Sequence, residues 1–192
     1  MSYPFLRPIS VRYMTNTQST LKLISAIVCC SLLYGCATPA SPVAMTVSRS
    51  DLAERTTAVS KHNFEVRSIS GGQETNPLWT SQVDNTGFRN ALTQSLSSLG
   101  FSPPNSSSTF AVDAELQALS QPLFGLDFSV TSTVRYTVEG NGQRKLYPVT
   151  ATGTATMSDA FIGVERLRKA NEKSIKENIK EFLMLLSLDF DK

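Results

Sequence analysis

Apolar and polar residues alternate along this chain in more than one register, and each register predicts an element. In 62–69 (HNFEVRSI), Phe64 and Val66 share one side, the period-two signature of a short strand that stops at Gly71-Gly72. Over 84–99 the spacing lengthens. Phe88, Ala91, Leu92, Leu96 and Leu99 recur every three or four residues, which predicts a helix with Asp84 or Thr86 as N-cap. Gly100 then supplies a left-handed stop, Phe101 can fold back on the last turn, and Pro103 and Pro104 prevent continuation.

Period two returns three times. Phe110, Val112, Ala114, Leu116 and Ala118 form one apolar face, and Phe128, Val130, Ser132, Val134, Tyr136 and Val138 a second. Tyr147, Val149, Ala151, Gly153, Ala155 and Met157 form a third. The opposite faces are polar and rich in threonine, and Gly140-Asn141-Gly142 predicts a tight hairpin between the last two strands. A long helix closes the chain, from Asp159 or Phe161 to Leu186, with Val164, Leu167, Ala170, Ile175, Ile179, Phe182, Leu183 and Leu186 as its apolar stripe. Its other side carries Arg168, Lys169, Glu172, Lys173, Lys176, Glu177 and Lys180, with Glu172–Lys176 a favourable spacing.

The order is therefore β-α-β-β-β-α. One-sided strands and amphipathic helices must bury their apolar faces against each other, so the expectation is an α+β two-layer sandwich. It has a four-stranded sheet, a three-strand antiparallel meander plus one N-terminal strand, and both helices on one face. The folded domain is expected over 61–192.

The first 60 residues read differently. LISAIVCCSLL at 23–33 has no charge, yet as a helix it spans only about 16 Å against roughly 30 Å of bilayer hydrocarbon. It has the length of a signal-peptide core, with Lys22 just before it. Met14 offers a second start, which shortens the leader to 14–35. Leu33, Tyr34 and Gly35 precede Cys36, and L-Y-G-C resembles the lipobox of bacterial lipoproteins, with Tyr34 where Ala or Ser is commoner. The resemblance implies cleavage before Cys36 and a diacylglyceryl group on its thiol. One acyl chain binds a membrane only marginally, whereas a fully acylated cysteine supplies several. Ala37 follows Cys36, and in that family a residue other than Asp there implies transport to the outer membrane. ATPASPVAMTVSR at 37–49, with Pro39 and Pro42, reads as a tether reaching about 20 Å, and 52–59 as a short helix. The expected segments are a leader over 1–35 and a lipidated tether over 36–60.

Charge follows the same division. Arg7, Arg12 and Lys22 are the only charges before Cys36; without them fifteen basic residues face sixteen acidic ones. A mature domain of net charge about −1 gives no electrostatic case for nucleic acid. Cys29 and Cys30 fall in the leader, so no disulfide or cysteine-ligated metal is expected.

GFRNALTQSLSSLGF, VRYTV and RLRKANEKSIKENIKEFL, together with the element order, resemble small outer-membrane lipoproteins of the YajG-like and LPS-assembly LptE-like group over roughly 60–188. The resemblance implies a domain that binds a partner or an envelope component, and it transfers no binding residue.

Little in the chain suggests catalysis. His62, the single histidine, lacks a local Ser or Asp pattern. Asp113 and Glu115, two apart on a strand, share a face and could hold a cation, do acid–base work or simply be solvated. Asp127 and Asp159 are isolated, and no glycine-rich turn precedes a helix. No cofactor is expected. Two loops are candidate contact sites. One, 71–83, carries Trp79, either a binding anchor or, with Leu78, a lid on the core. In the other, Leu123, Phe124 and Leu126 surround Gly125, either as an exposed patch for a partner or bilayer or as closure of the helix layer. The expectation is a non-enzymatic lipoprotein facing the periplasm from the outer membrane and binding an envelope protein or a glycolipid. The alternatives are an envelope-metabolism enzyme using surface carboxylates and a structural subunit of a lipoprotein complex.

Overall fold

Four strands carry the period-two segments: β1 (Phe64–Ser70), β2 (Phe110–Ser120), β3 (Phe128–Gly140) and β4 (Gln143–Ala155). They lie side by side in the order β1-β2-β3-β4. β1 runs parallel to β2, and the other two pairings are antiparallel, so the sheet is mixed. This computed structural model describes residues 37–52, 63–77, 80–102 and 110–190. The chain divides into Met1–Tyr34 and Gly35–Lys192, and every described residue belongs to the second unit. The leader with Leu33, Tyr34 and Gly35, then Cys36, 53–59, His62, Leu78, Trp79, Pro103 and Pro104 lie outside the described residues.

Three helices accompany the sheet among the described residues: α1 (Pro42–Met45), α2 (Asn85–Ser98) and α3 (Gly163–Phe190), with a 3-10 turn at Arg49–Leu52. The fold is α+β. Parallel neighbours need a crossover, and α2 provides it between β1 and β2. Its ends follow the sequence rules. Asp84 accepts from the Gly87 N–H at 2.7 Å. At the other end Phe101 N–H reaches Leu96 O, Gly100 N–H reaches Ser97 O, and Gly100 has φ +80°, a Schellman closure. Asn141 and Gly142 both take positive φ in a two-residue hairpin between β3 and β4.

Tyr136 marks the centre of the core. Its ring stacks on Phe182 of α3 at 4.0 Å and meets Phe88 of α2 edge-on at 6.4 Å. At one end, Phe64, Phe101, Phe110 and Phe190 form a second aromatic group.

Two β-bulges shift faces that simple alternation places otherwise. The β2–β3 register breaks between Leu116 and Ala118, so Ala118 turns outward and Leu119 packs on the core instead. The β1–β2 register breaks between Val66 and Ser68, which turns Ser68 outward beside Arg67 and puts Ile69 against the core. Met157 falls beyond β4 and is exposed.

The stretch expected as a tether is part of the packed body. Ala37, Ala40, Met45, Val47 and Leu52 are buried. Ala37 N–H bonds to Pro77 O, Ala40 N–H to Gln82 O and Val47 N–H to Ser95 Oγ. Lys176 pairs with Asp51 at 2.8 Å. The prolines block long regular structure, but α1 needs only one turn, with Pro42 at its start.

α3 also departs from its expected polarity. Glu172 is buried. It accepts from the Ser41 N–H and pairs with Arg168, and Lys176 pairs with Asp51 rather than with it. Asn171, Ser174 and Asn178 are fully buried; Ser174 and Asn178 bond to β3 and β4, and Asn171 to Ser81 and Gln121. Asn178 Nδ2 donates to Ser132 O and Val149 O, and its Oδ1 accepts from Tyr136 OH at 2.8 Å. Gly153 sits under this stripe, where a Cβ would come within 2.1 Å of Ser174 N. The helix backbone rests directly on β4.

Candidate functional site

The outward face of the sheet is polar by sequence and polar in three dimensions. On β3 and β4, Ser129–Thr154, Thr131–Thr152 and Thr133–Thr150 form a ladder of cross-strand hydroxyl pairs at 2.8–3.2 Å. Toward β1 the ladder gives way to charge. Arg67, on the outward side of β1, bonds both Asp113 and Glu139, and Arg135 bonds Glu115. Between these pairs lies an open hollow of about 410 Å³, lined by Asp113, Glu115, Arg135, Thr137, Arg144 and their neighbours.

Asp113 and Glu115 thus share a face and a hollow, and each is already matched to a guanidinium. Arg67, together with a 2.5 Å bond from Ser68 Oγ, holds the Asp113 carboxyl below the usual carboxylate range, against the opposing effect of its partial burial. A carboxylate in that state is a weak base and an ineffective acid at neutral pH. Among the described residues no group of three or more His, Cys, Asp or Glu side chains converges on a point. Arg135 and Arg144, paired with Glu115 and Glu139, each keep further guanidinium N–H groups suited to phosphate, carboxylate or sugar oxygens.

A second surface lies at the end of the sheet where β2 leaves and β3 enters. Leu123, Phe124 and Leu126 are 94%, 85% and 73% exposed. They do not close the helix layer. The connection before α3 adds Phe161, 83% exposed, and Ile162. The two loops adjoin through Phe128. The Arg166 guanidinium lies 5.1 Å from that ring and donates to Ala160 O and Phe161 O. Arg166 is buried and has no carboxylate partner among the described residues.

The beginning of the described chain reaches this same end. Ser81 Oγ donates to Thr38 O, while Gln121 Nε2 and Asn171 Nδ2 both donate to Ser81 O. Thr38, Ser81 and Gln121 are therefore consecutive links of one hydrogen-bond chain, and Gln121 opens the 121–127 loop. Asp127 is exposed on that loop. Asp159 is held at about 2 by its bond from Lys173, with the Thr156 N–H adding to the effect, and it fastens the turn after β4.

Sequence patterning pointed to Leu123, Phe124 and Leu126 but not to Phe161 and Ile162, which were absorbed into the expected start of α3. Phe161 lies outside the apolar stripe of that helix, and this was the available signal. Arg67, Glu139 and Arg144 were also missed, because the strand register that joins Arg67 to Asp113 and Glu139, and Arg144 to Glu139, is set by pairing between distant segments.

No family model matches the chain, and no curated protein matches it. Solved structures with partial likeness include a DUF330 protein from Xanthomonas campestris, 8% identical with a TM-score of 0.48, covering 72% of this chain and 90% of that one. A hypothetical protein from Chlamydia trachomatis is 10% identical with a TM-score of 0.40, covering 63% and 95%. A candidate lipoprotein from Caulobacter crescentus CB15 is 12% identical with a TM-score of 0.39, covering 64% and 90%. At these scores the likenesses decide neither fold nor function. Among the described residues no helix is long and apolar enough to cross a membrane.

Proposed function

We propose that this chain is a non-enzymatic lipoprotein of the bacterial outer membrane, anchored through acyl chains on Cys36, whose periplasmic domain binds an envelope protein or a glycolipid. The observation that carries the reading is L-Y-G-C at 33–36, closing an apolar run too short to span a bilayer. In this reading the sheet forms one layer, α2 and α3 form the other, and the outward sheet face is left for the partner. Its hydroxyl ladder and the arginines of the hollow suit sugar hydroxyls and acidic groups.

The test has two parts. Cys36→Ser should abolish acylation by mass spectrometry and release the protein from membranes in a carbonate wash; retention of that variant counts against the anchor. Cross-linking and affinity purification of the lipidated protein should recover one stoichiometric partner. Arg135→Glu, on the outward face, should lose it, and unchanged recovery counts against this face as the binding site.

One observation favours a second reading. Asp113 and Glu115 line the same hollow, as an enzyme acting through surface carboxylates requires. Its test is the pair Asp113→Asn and Glu115→Gln. In the enzyme reading they abolish turnover of an envelope glycan while partner recovery persists.

A further inference from the structure

We propose that the apolar tips at 123–126 and 161–162 insert into the same lipid leaflet that holds the N-terminal anchor, so that the domain lies on the membrane in one fixed orientation instead of hanging from a leash. The proposal rests on the lipid-anchor reading and deepens it.

The length of free chain decides the geometry. A flexible linker of a dozen residues would let the domain tumble at about 20 Å from the bilayer. Here that linker is folded: Ala37 is buried, its N–H is bonded to Pro77 O, and Thr38 O is bonded to Ser81. Cys36 is one residue away, about 3.8 Å in Cα distance. Acyl chains on its sulfur must therefore enter the bilayer beside the end of the domain that Ala37 occupies.

That end carries the large exposed apolar side chains of both loops. Leu123, Phe124 and Leu126 begin two residues after Gln121, which is hydrogen-bonded to the same Ser81 as Thr38. Phe161 and Ile162 adjoin them across Phe128 and Arg166. Such clustering is unusual on a surface that only water covers. A protein partner seated here would have to fit between the domain and a leaflet that the anchor holds within a residue's length. A lipid surface fits without that conflict.

The Arg166 guanidinium, buried beneath Phe161 and bonded to Ala160 O and Phe161 O, braces the loop that carries these tips. Insertion of apolar tips next to covalent acyl chains is then effectively intramolecular, so modest burial of each tip suffices to fix orientation.

The experiment uses the lipidated full-length product in vesicles of phosphatidylethanolamine and phosphatidylglycerol. A nitroxide is attached to Phe124→Cys, to Phe161→Cys, or to Thr152→Cys on the outward sheet face. All three positions are exposed, so the variants fold, and the Cys36 thiol is blocked by its lipid. The labels at 124 and 161 should be at least fivefold more accessible to oxygen relative to a water-soluble nickel chelate than the label at 152. Equal ratios at all three positions overturn the proposal. The mass of the N-terminal peptide, taken on the same sample, separates the two levels. Acylated Cys36 with water-exposed labels sinks the docking and leaves the anchor standing, whereas an unacylated Cys36 sinks both. A photo-cross-linker at Phe124 that captures one protein in native envelopes, and no lipid, also overturns it.

Discussion

The two faces of β3 carry polar groups of similar kind in opposite circumstances. Inward, Tyr136, Ser132 and the facing Asn178 are wholly buried, and their hydrogen bonds interlock helix and sheet. Outward, Arg135, Thr131 and Thr133 make bonds just as short, but water competes for every one. An unmade hydrogen bond inside costs the full desolvation of its partner, about 1–3 kcal/mol, whereas an exposed ion pair contributes from about 0 to 1 kcal/mol. The inner set therefore specifies how α3 sits on the sheet. The outer set is free to be exchanged for contacts to something else.

The comparison can be broken most sharply at Gly153. Gly153→Ala places a methyl group against Ser174 N, where backbone cannot yield without lifting α3. A loss of about 3 kcal/mol is expected in denaturant unfolding, and a loss under about 1 kcal/mol contradicts the close approach. Next is Tyr136→Phe, which leaves Asn178 Oδ1 without its donor. It should cost about 2 kcal/mol, with no change in membrane retention.

Asp51 tests the docked N-terminal segment. Burial works against its charge. Even so, the bonds from Lys176 and from Ser48 bring its pKa down to about 2 from 3.8. The folded chain thus binds fewer protons than the unfolded chain between those values. The stabilisation is complete above the unfolded pKa and is lost as pH falls through the folded one. After allowance for its exposure, Asp51→Asn should cost about 1 kcal/mol at pH 7 and progressively less as pH falls through about 2, flattening the acid limb of the stability curve. A parallel shift at every pH would mean that the pair with Lys176 does not form. The smallest effect is expected at the outer face. Glu115→Gln should change stability by less than about 0.5 kcal/mol, and a larger loss would show that the outward ladder holds the fold together.

Legibility followed the range of the interaction. The caps of α2, the Asn141-Gly142 hairpin, the apolar face of β3 and most of those of β2 and β4 were readable because each depends on residues a few positions apart. The bulges at Arg67 and Gln117 were not, since a bulge is a mismatch between two strands and neither sequence announces it alone. Glu172 looked like a solvated partner for Lys176 until the segment near Ser41 covered it. Burial then raises its pKa, the reverse of what an exposed ion pair does. At the candidate surfaces, Asp113 and Glu115 were correctly placed on one face, but their arginine partners come from other strands.

By itself the sequence determined the four strands and the two long helices, the apolar face over most of each, and that a short apolar run stops just before Cys36. Periodicity, turn chemistry and hydropathy are properties of neighbouring residues, and they survive without a fold. Only the tertiary structure decided that 37–52 is packed instead of free, that the ion pairs of the outer face meet across three strands, and that Leu123, Phe124, Phe161 and Ala37 share one end of the molecule. Those facts depend on which distant segments touch. That is settled by the joint burial of apolar surface and the matching of buried polar groups, quantities that no single stretch of chain contains.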